Sequence, residues 1–230
     1  MAIRSKKMPK EQETPFKELS FGRKLHYIWD YYKIHILAVI LIAGVIASAV
    51  YYYHQNNYDS VCEIIVVDGK VDNYGTGQDS ITKEFTKHLG IDGKSTRAVI
   101  SYGYSLNYIN GDQEATVTQN KIYILASTNS LDGYLTEEEH IDHFSSDKEL
   151  FLCDLRDILS AEELEAIGEE NFFYYTKDDG SKYPIAVNLS DTKVKKECGL
   201  TTKNPYYGVV VSAPNKENGV EFIRWAFDLK

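Results

Sequence analysis

The sequence has few residues of the kinds that crosslink a chain or hold a cofactor. Its 230 residues include three cysteines and five prolines, and no two cysteines form a C-x-x-C pair. Three cysteines allow at most one intramolecular disulfide, which excludes a disulfide framework and leaves any pairing of Cys62, Cys153 and Cys198 open. The glycines complete neither a dinucleotide-binding fingerprint nor a P-loop. We therefore predict no cofactor and no metal centre.

Basic residues are scarce after the first 33 positions. The chain has 25 basic and 34 acidic residues, and residues 1–33 hold eight of the basic and four of the acidic ones, which leaves a net charge of −13 for the rest. Because phosphates would repel so acidic a body, nucleic acid is excluded as a partner. The basic head, in contrast, is suited to the anionic lipids of an inner leaflet.

Only one apolar run in the sequence approaches the length of a membrane span. Ile36 to Val50 contains no charge and a single polar side chain, Ser48, and the run extends to 20 residues between Ile34 and Tyr53. Twenty helical residues cover about 30 Å, the thickness of the hydrocarbon core of a bilayer. Tyrosine and Trp29 precede the run and three tyrosines follow it, as is typical at membrane interfaces. We predict a transmembrane helix over residues 34–53 that contacts the lipid bilayer.

Two alternatives remain for this run, a buried helix of a soluble domain and a cleaved export signal. Ala47-Ser48-Ala49 fits the small-x-small pattern that precedes cleavage. The long preceding region, which contains acids and aromatic residues, argues against a signal peptide, and the aromatic flanks argue against a buried helix.

The charges around the run predict its orientation. Arg23, Lys24 and Lys33 precede it, whereas residues 51–70 contain one lysine and no arginine. The positive-inside rule then places the N-terminus in the cytoplasm and the body outside the cell membrane. We predict four segments: a cytoplasmic basic head with an amphipathic helical part over 1–33, the span over 34–53, a linker over 54–59, and an extracytoplasmic domain over 60–230.

Hydrophobic periodicity in the body predicts strands that alternate with helices. Thr136-x-x-Glu139 and Ser160-x-x-Glu163 fit capping boxes, which mark helix starts. The alternation predicts an α/β domain with a mostly parallel sheet. We predict strands over 61–67, 96–104, 131–135, 172–176, 183–188 and 206–212, and helices over 79–89 and from residues 136, 160 and 214; residues 114–128 fit either type.

The candidate ligand site lies where the first two predicted strands end. Clefts form outside the carboxyl ends of parallel strands, so a small solute would contact Asp68, Tyr102 and Tyr104. Gly75 and Gly77, in the loop after the first strand, would let a ligand approach closely. A plain connecting loop is the alternative.

Other motifs predict no catalysis. His140 and His143 lie three residues apart beside acids and could ligate a metal from one helix face, but a solvated helix face is the favoured interpretation. Gly103-Tyr104-Ser105 lacks the second glycine of a nucleophile elbow. We predict no catalytic residue, and a binding protein instead of an enzyme.

Several segments occur in an order that resembles a known family. They are LDGYLTEEEHIDHF (131–144), ELFLCDLRDILSAEELEAI (149–167), KYPIAVNL (182–189) and PYYGVVVSAPNKENGVEFIRWAF (205–227). This order resembles the rear part of type II extracytoplasmic solute-binding proteins. The head, FKELSFGRKLHYIWDYYKIHILAVI (16–40), looks like the membrane-anchored variants of clostridia and related Gram-positive bacteria.

The resemblance implies a membrane-anchored binding module with a compact periplasmic-binding-protein-like (type II) α/β domain. It names no ligand, and the body is shorter than a two-lobed receptor, so no ligand contact is transferred from the family. The alternative is an accessory or scaffold subunit that binds a membrane-protein or cell-wall partner and no small molecule.

Overall fold

The computed structural model of the chain describes residues 20–72, 79–107 and 113–229. It divides into two compact units that meet in sequence between Asn57 and Tyr58. Helices are α1 Phe21–Asn56, α2 Ser80–His88, α3 Gln113–Ser127, α4 Leu155–Ile158, α5 Ala161–Ile167, α6 Lys193–Lys196 and α7 Lys216–Ala226. Strands are β1 Asp59–Val67, β2 Thr96–Tyr104, β3 Gly133–Glu137, β4 Phe172–Thr176, β5 Lys182–Asn188 and β6 Pro205–Val209.

The first unit is described as one continuous helix, α1, which contains the whole predicted span. Its most apolar window has a mean hydropathy of 2.5, and none of that window is buried within the protein. Length and composition therefore allow α1 to cross a membrane, although a signal sequence would share both properties. The helix continues through Asn56, so that only Asn57 and Tyr58 separate it from β1. Residues 1–19, with the start of the predicted amphipathic segment, lie outside the described residues.

The body contains a six-stranded mixed sheet in the order β2-β1-β3-β6-β5-β4. Two pairs are parallel, β1 with β2 and β1 with β3. The other three pairs, β3 with β6, β5 with β6, and β4 with β5, are antiparallel. The prediction of a mostly parallel sheet is therefore wrong. Parallel neighbours need crossovers, which α2 and α3 supply in the first half, whereas β4 and β5 form a hairpin.

Hydrophobic clusters lie on both faces of the sheet. Alternate side chains of β1 divide between them, with Cys62, Ile64 and Val66 in one cluster and Ile65 and Val67 in the other. Helices α2 and α7 pack on the first face and α3 packs on the second. Burial on both faces explains why β1 is a continuous apolar run in the sequence and not an alternating one.

Most of the predicted elements are confirmed. Strand β2 has the predicted bounds, the hairpin of β4 and β5 forms, and the ambiguous segment 114–128 is helix α3. The capping box at Ser160 also forms. Ser160 Oγ accepts a hydrogen bond from the Glu163 N–H, and the Glu163 carboxylate accepts one from the Ser160 N–H. All three cysteines are buried and form no disulfide.

The second predicted capping box does not form. Thr136 is a fully buried residue of β3 that pairs with Tyr206 of β6. A short 3₁₀ helix, Glu138–His140, follows without a side-chain cap. Pairing with β6 holds Thr136 in the sheet, so its hydroxyl cannot cap a helix, and the prediction of a helix starting at residue 136 is wrong.

Candidate functional site

A cleft of about 310 Å³ opens at the edge of the sheet where the parallel strands end. The carboxyl ends of β1, β2 and β3 meet at this edge because the three strands run in the same direction. The long connection from β5 to β6 returns to the same edge and completes the wall. Its lining residues are Asp68, Gly69, Lys70, Gly103, Asn107, Glu137 and Thr201.

Asp68 is the most strongly held acid of the cleft. Its Oδ1 accepts hydrogen bonds from Ser105 Oγ at 2.6 Å and Asn107 Nδ2 at 3.1 Å, and its Oδ2 accepts from the Leu106 N–H at 3.1 Å. The side chain is 7% exposed. Its backbone lies in the left-handed region at φ 53°, which turns the chain out of β1. These contacts join the ends of β1 and β2 and hold the carboxylate at the cleft wall.

His140 lies behind this carboxylate. Its Nε2 is 3.7 Å from Asp68 Oδ2 and 3.4 Å from Glu139 Oε1, and its side chain is 15% exposed. That buried nitrogen has no hydrogen-bond partner among the described residues. The backbone carbonyl of His140 accepts a hydrogen bond from Tyr134 Oη at 3.2 Å, and burial raises the pKa of that phenol. The imidazole is thus held beside Asp68 without a direct hydrogen bond to it.

The loop before β6 is hydrogen-bonded to the loop after β1. The Thr201 N–H donates to the Lys70 carbonyl at 2.9 Å, and the Lys70 N–H donates to Thr201 Oγ1 at 3.1 Å. Lys195 Nζ donates to the Leu200 and Thr202 carbonyls at 2.9 and 2.6 Å. The first two hydrogen bonds connect segments 131 residues apart, and the two from Lys195 hold the loop before β6 in place.

Gly69 has to be glycine because of this packing. A Cβ at that position would lie 1.8 Å from Thr202 Oγ1 and 3.3 Å from Val66 Cγ1. Thr202 is 1% exposed, and its hydroxyl has no hydrogen-bond partner among the described residues. The absence of a side chain therefore lets the two loops meet closely at the cleft floor.

Of the three predicted ligand contacts, Asp68 lines the cleft and the two tyrosines do not. Tyr102 packs in the first cluster and donates to Asp79 Oδ1 at 2.8 Å, and burial followed by the Asp79 charge raises its pKa. Tyr104 packs against the opposite cluster, below Lys121 Nζ at 5.4 Å from its ring centroid. A bulge at Gly103, with φ 86°, places two tyrosines that are two residues apart on opposite faces.

The favoured interpretation of His140 and His143, a shared solvated helix face, is wrong. His140 is largely buried, and its ring centroid lies 6.4 Å from that of His143. Burial, and then the nearby His140, lowers the pKa of His143. Within residues 20–72, 79–107 and 113–229 no three His, Cys, Asp or Glu side chains are grouped to hold a metal ion.

Three neighbouring residues, Ser105, Asp68 and His140, are of the types that form a hydrolase triad. Their order in space differs from that of a triad. Ser105 donates its hydroxyl hydrogen to Asp68, so the carboxylate lies between serine and histidine. In a triad the imidazole lies between the other two and takes the proton of the nucleophile. The contacts around Asp68 therefore position a carboxylate and do not activate a hydroxyl.

Sequence reasoning missed Lys70, Asn107, Glu137 and Thr201 of the lining. Lys70 lies in the loop that follows β1, and Glu137 is the last residue of β3. The rule that polar residues at the ends of parallel strands converge could therefore have found both. Thr201 has no such signal, because its place depends on how the loop before β6 folds back. Residues 73–78, including Gly75 and Gly77, lie outside the described residues.

A second groove, of about 320 Å³, lies on α3. Val117 and Ile124 are 65% and 61% exposed, one above the other on the helix, and Lys121 lies between them. Val211 is 44% exposed near the same helix, where the adjacent Ser212 Oγ donates to the Ala126 carbonyl at 2.8 Å. Unlike the cleft, this groove is mainly apolar.

No protein-family model, curated protein or solved structure matches the chain.

Proposed function

We propose that the chain is a single-pass membrane protein that presents an extracytoplasmic binding module, and that the module takes a small solute in the cleft. The observation that carries the proposal is the cleft at the carboxyl ends of β1, β2 and β3, where α/β proteins bind ligands. Helix α1 supplies the anchor, and the basic head and acidic body supply the orientation. The ends of the lining loops are tied together by hydrogen bonds, so little ordering of these residues would oppose binding.

The binding proposal is tested by the stability of the full chain in detergent micelles with and without solutes. Sugars, amino acids, diamines, nucleosides and inorganic anions serve as probes. A ligand at 100 times its Kd adds about 2.7 kcal/mol to the free energy of unfolding and raises the Tm. An unchanged Tm with every class of solute would contradict solute binding.

The orientation is tested separately with protease added to intact cells. We expect cleavage of the body at exposed loops, with the head protected behind the membrane. A body that survives while a known surface protein is cut would reverse the proposed topology. The mass of the mature N-terminus tests cleavage after Ala49, because an uncleaved anchor retains the head.

For the finer fold we propose a compact relative of the type II solute-binding proteins. The segments that carry the resemblance coincide with whole elements, namely β3, α4 with α5, β5, and β6 with α7. The body forms one compact unit, so the proposed site is the sheet edge and not a cleft between two lobes. The proposed relation would be contradicted if an experimental structure of a type II solute-binding protein had a strand order different from β2-β1-β3-β6-β5-β4.

The groove on α3 favours the alternative function, an accessory subunit that binds a partner protein in the membrane or cell wall. Helix α3 carries one acid and one lysine in an otherwise acidic body, so an apolar partner surface could approach it without charge repulsion. The double variant V117E/I124E would then release the chain from a larger complex on native gels, and E114Q on the same helix would not. Unchanged migration of the double variant would contradict this alternative.

A further inference from the structure

We propose that the solute bound in the cleft carries a protonated amine. This inference rests on the proposed function and adds the chemical class of the ligand. The lining contains two carboxylates, Asp68 and Glu137, and one ammonium group, Lys70, together with an amide, a hydroxyl and two glycines. No aromatic or aliphatic side chain is among the described lining residues, so neither ring stacking nor apolar burial would hold a ligand there.

Asp68 offers one unused acceptor position. A carboxylate has about four lone-pair sites, and the described hydrogen bonds from Ser105, Leu106 and Asn107 fill three of them. The remaining site is on Oδ2, which lies 3.7 Å from His140 Nε2, beyond hydrogen-bond distance. An ammonium group has three donors and no acceptor, which matches a site that can only accept.

Glu137 supplies the second carboxylate. Its Oε1 accepts the Lys203 N–H at 3.2 Å, and no other described residue donates to this carboxylate. The single contact fixes the side chain at the end of β3 and leaves acceptor positions for a ligand. A neutral or anionic solute that covered Glu137 and the 7%-exposed Asp68 would take both charges out of water without adding a positive charge, whereas a cation would compensate them. The net charge of −13 after residue 33 would also attract cations to the cleft.

The charge of Lys70 distinguishes two kinds of amine ligand, an amino acid and a diamine. In a zwitterion such as an amino acid, the carboxylate would meet Lys70 while the amine meets Asp68 and Glu137. In a simple diamine, Lys70 would only repel the ligand. The variant K70Q should therefore weaken binding of glycine and strengthen binding of 1,4-diaminobutane.

The test is calorimetric titration of the full chain in detergent micelles with glycine, 1,4-diaminobutane, glucose and sulfate. We expect binding of at least one of the two amines and none of glucose or sulfate. The variant E137Q should raise the Kd of the amine roughly 10- to 100-fold, since a charge-assisted hydrogen bond is lost. The matched control is E138Q, which removes the same charge at the next, exposed residue outside the lining. Equal Tm values of the two variants without ligand would verify that both are folded.

The outcomes separate this inference from the proposed function. Binding of glucose or sulfate with both amines inert would overturn the amine inference and leave solute binding in place. Amine binding that E137Q and E138Q weaken equally would overturn it as well, because the effect would then be the general field of the acidic body. An absence of binding by all four solutes would overturn the amine inference, and solute binding itself is overturned only if every class of solute also leaves the Tm unchanged.

Discussion

The two halves of the sheet differ in where their strands end. In the parallel half, β1 to β3, all three carboxyl ends lie at one edge, and the residues that follow them line the cleft. In the antiparallel half, β4 to β6, successive strands end at opposite edges, so their ends do not converge. The antiparallel half contributes one loop, the connection that carries Thr201. A polar site thus arises from strand direction.

The two halves meet where β3 runs antiparallel to β6. Five residue pairs join the two strands, from Gly133 opposite Val209 to Glu137 opposite Pro205. The cleft depends on this seam, because Glu137 ends one strand and Thr201 lies just before the other. Changes that loosen the seam should therefore cost more stability than changes within either half.

The largest expected effect is that of Asp132→Ala. The carboxylate is 1% exposed and accepts from the Glu63 N–H at 2.8 Å and the Asn215 N–H at 2.7 Å, which connects β1 to the segment before α7. Alanine leaves both half-buried donors without this acceptor, and we expect the free energy of unfolding to fall by about 3 kcal/mol. Urea unfolding of the full chain, followed by tryptophan fluorescence, measures this loss.

Asp132→Asn is the matched control, because its amide oxygen can still accept one of the two N–H groups. We expect its loss to be smaller than that of the alanine variant. An alanine variant as stable as the unchanged chain would contradict the role of Asp132 in joining the halves.

Gly133→Ala should introduce a steric clash between β3 and β6. The new Cβ would lie 2.4 Å from the Tyr207 phenol oxygen and 2.5 Å from its Cε2. Tyr207 is fully buried and donates to the Gly219 carbonyl at 3.0 Å, so the ring has little room to move. We expect a loss of about 2 kcal/mol in the free energy of unfolding.

A double-mutant cycle with Tyr207→Phe checks the cause of that loss. Removing the phenol oxygen relieves part of the clash, so the losses of the two changes should not add. Additive losses would mean that the alanine acts elsewhere.

Glu163→Gln tests an ion pair that joins α5 to α7. Glu163 Oε1 accepts from Arg224 Nε at 2.6 Å, the Glu163 side chain is 13% exposed, and the Arg224 hydrogen bond lowers the pKa of the carboxyl. A lowered pKa in the folded state stabilises the protein above the unfolded pKa of about 4.3, and that stability is lost as the pH falls through the folded value. We expect Glu163→Gln to cost about 1 kcal/mol at pH 7 and nothing at low pH.

Glutamine keeps the capping acceptor at this position, so the variant isolates the ion pair. Glu217→Gln is the control, because Glu217 also contacts Arg224 but its side chain is 77% exposed. A Glu217 loss as large as that of Glu163, measured by urea unfolding between pH 3 and 7, would contradict the importance of burial.

An effect no larger than that of Glu163→Gln should come from Ser160→Ala, which acts within one helix. Its hydroxyl caps α5 by accepting the Glu163 N–H at 3.2 Å. Loss of a cap typically costs about 1 kcal/mol, whereas Ser160→Asp retains an acceptor and should cost less. The unfolding midpoint in urea distinguishes the two variants, and equal midpoints would contradict a capping role.

Local patterns predicted much of the fold, and the two capping boxes mark their limit. Both sequences have a hydroxyl residue followed three positions later by glutamate, but only Ser160 begins a helix. Thr136 is held in β3 by pairing with Tyr206, a residue 70 positions away, and no local pattern contains that information. The mixed direction of the sheet was missed for the same reason, since strand direction depends on which distant strand each one pairs with.

The candidate site was predicted in part. Asp68 was named because it follows an apolar strand, and it lines a cleft that opens at the expected edge of the sheet. Tyr102 and Tyr104 were misplaced because a bulge at Gly103 changes the side-chain alternation of β2. A bulge depends on pairing with β1, so residue spacing alone does not reveal it.

The sequence by itself determined the long apolar helix, the acidic charge of the body and the bounds of several strands. These properties depend on side chains that are neighbours in the chain, so hydrophobicity and periodicity suffice to read them. Tertiary structure alone decided the order and direction of the strands and the assembly of the cleft. Asp68, Glu137 and Thr201 come together only because three strands and one returning loop end at the same edge, and that arrangement is a property of contacts between residues far apart in sequence.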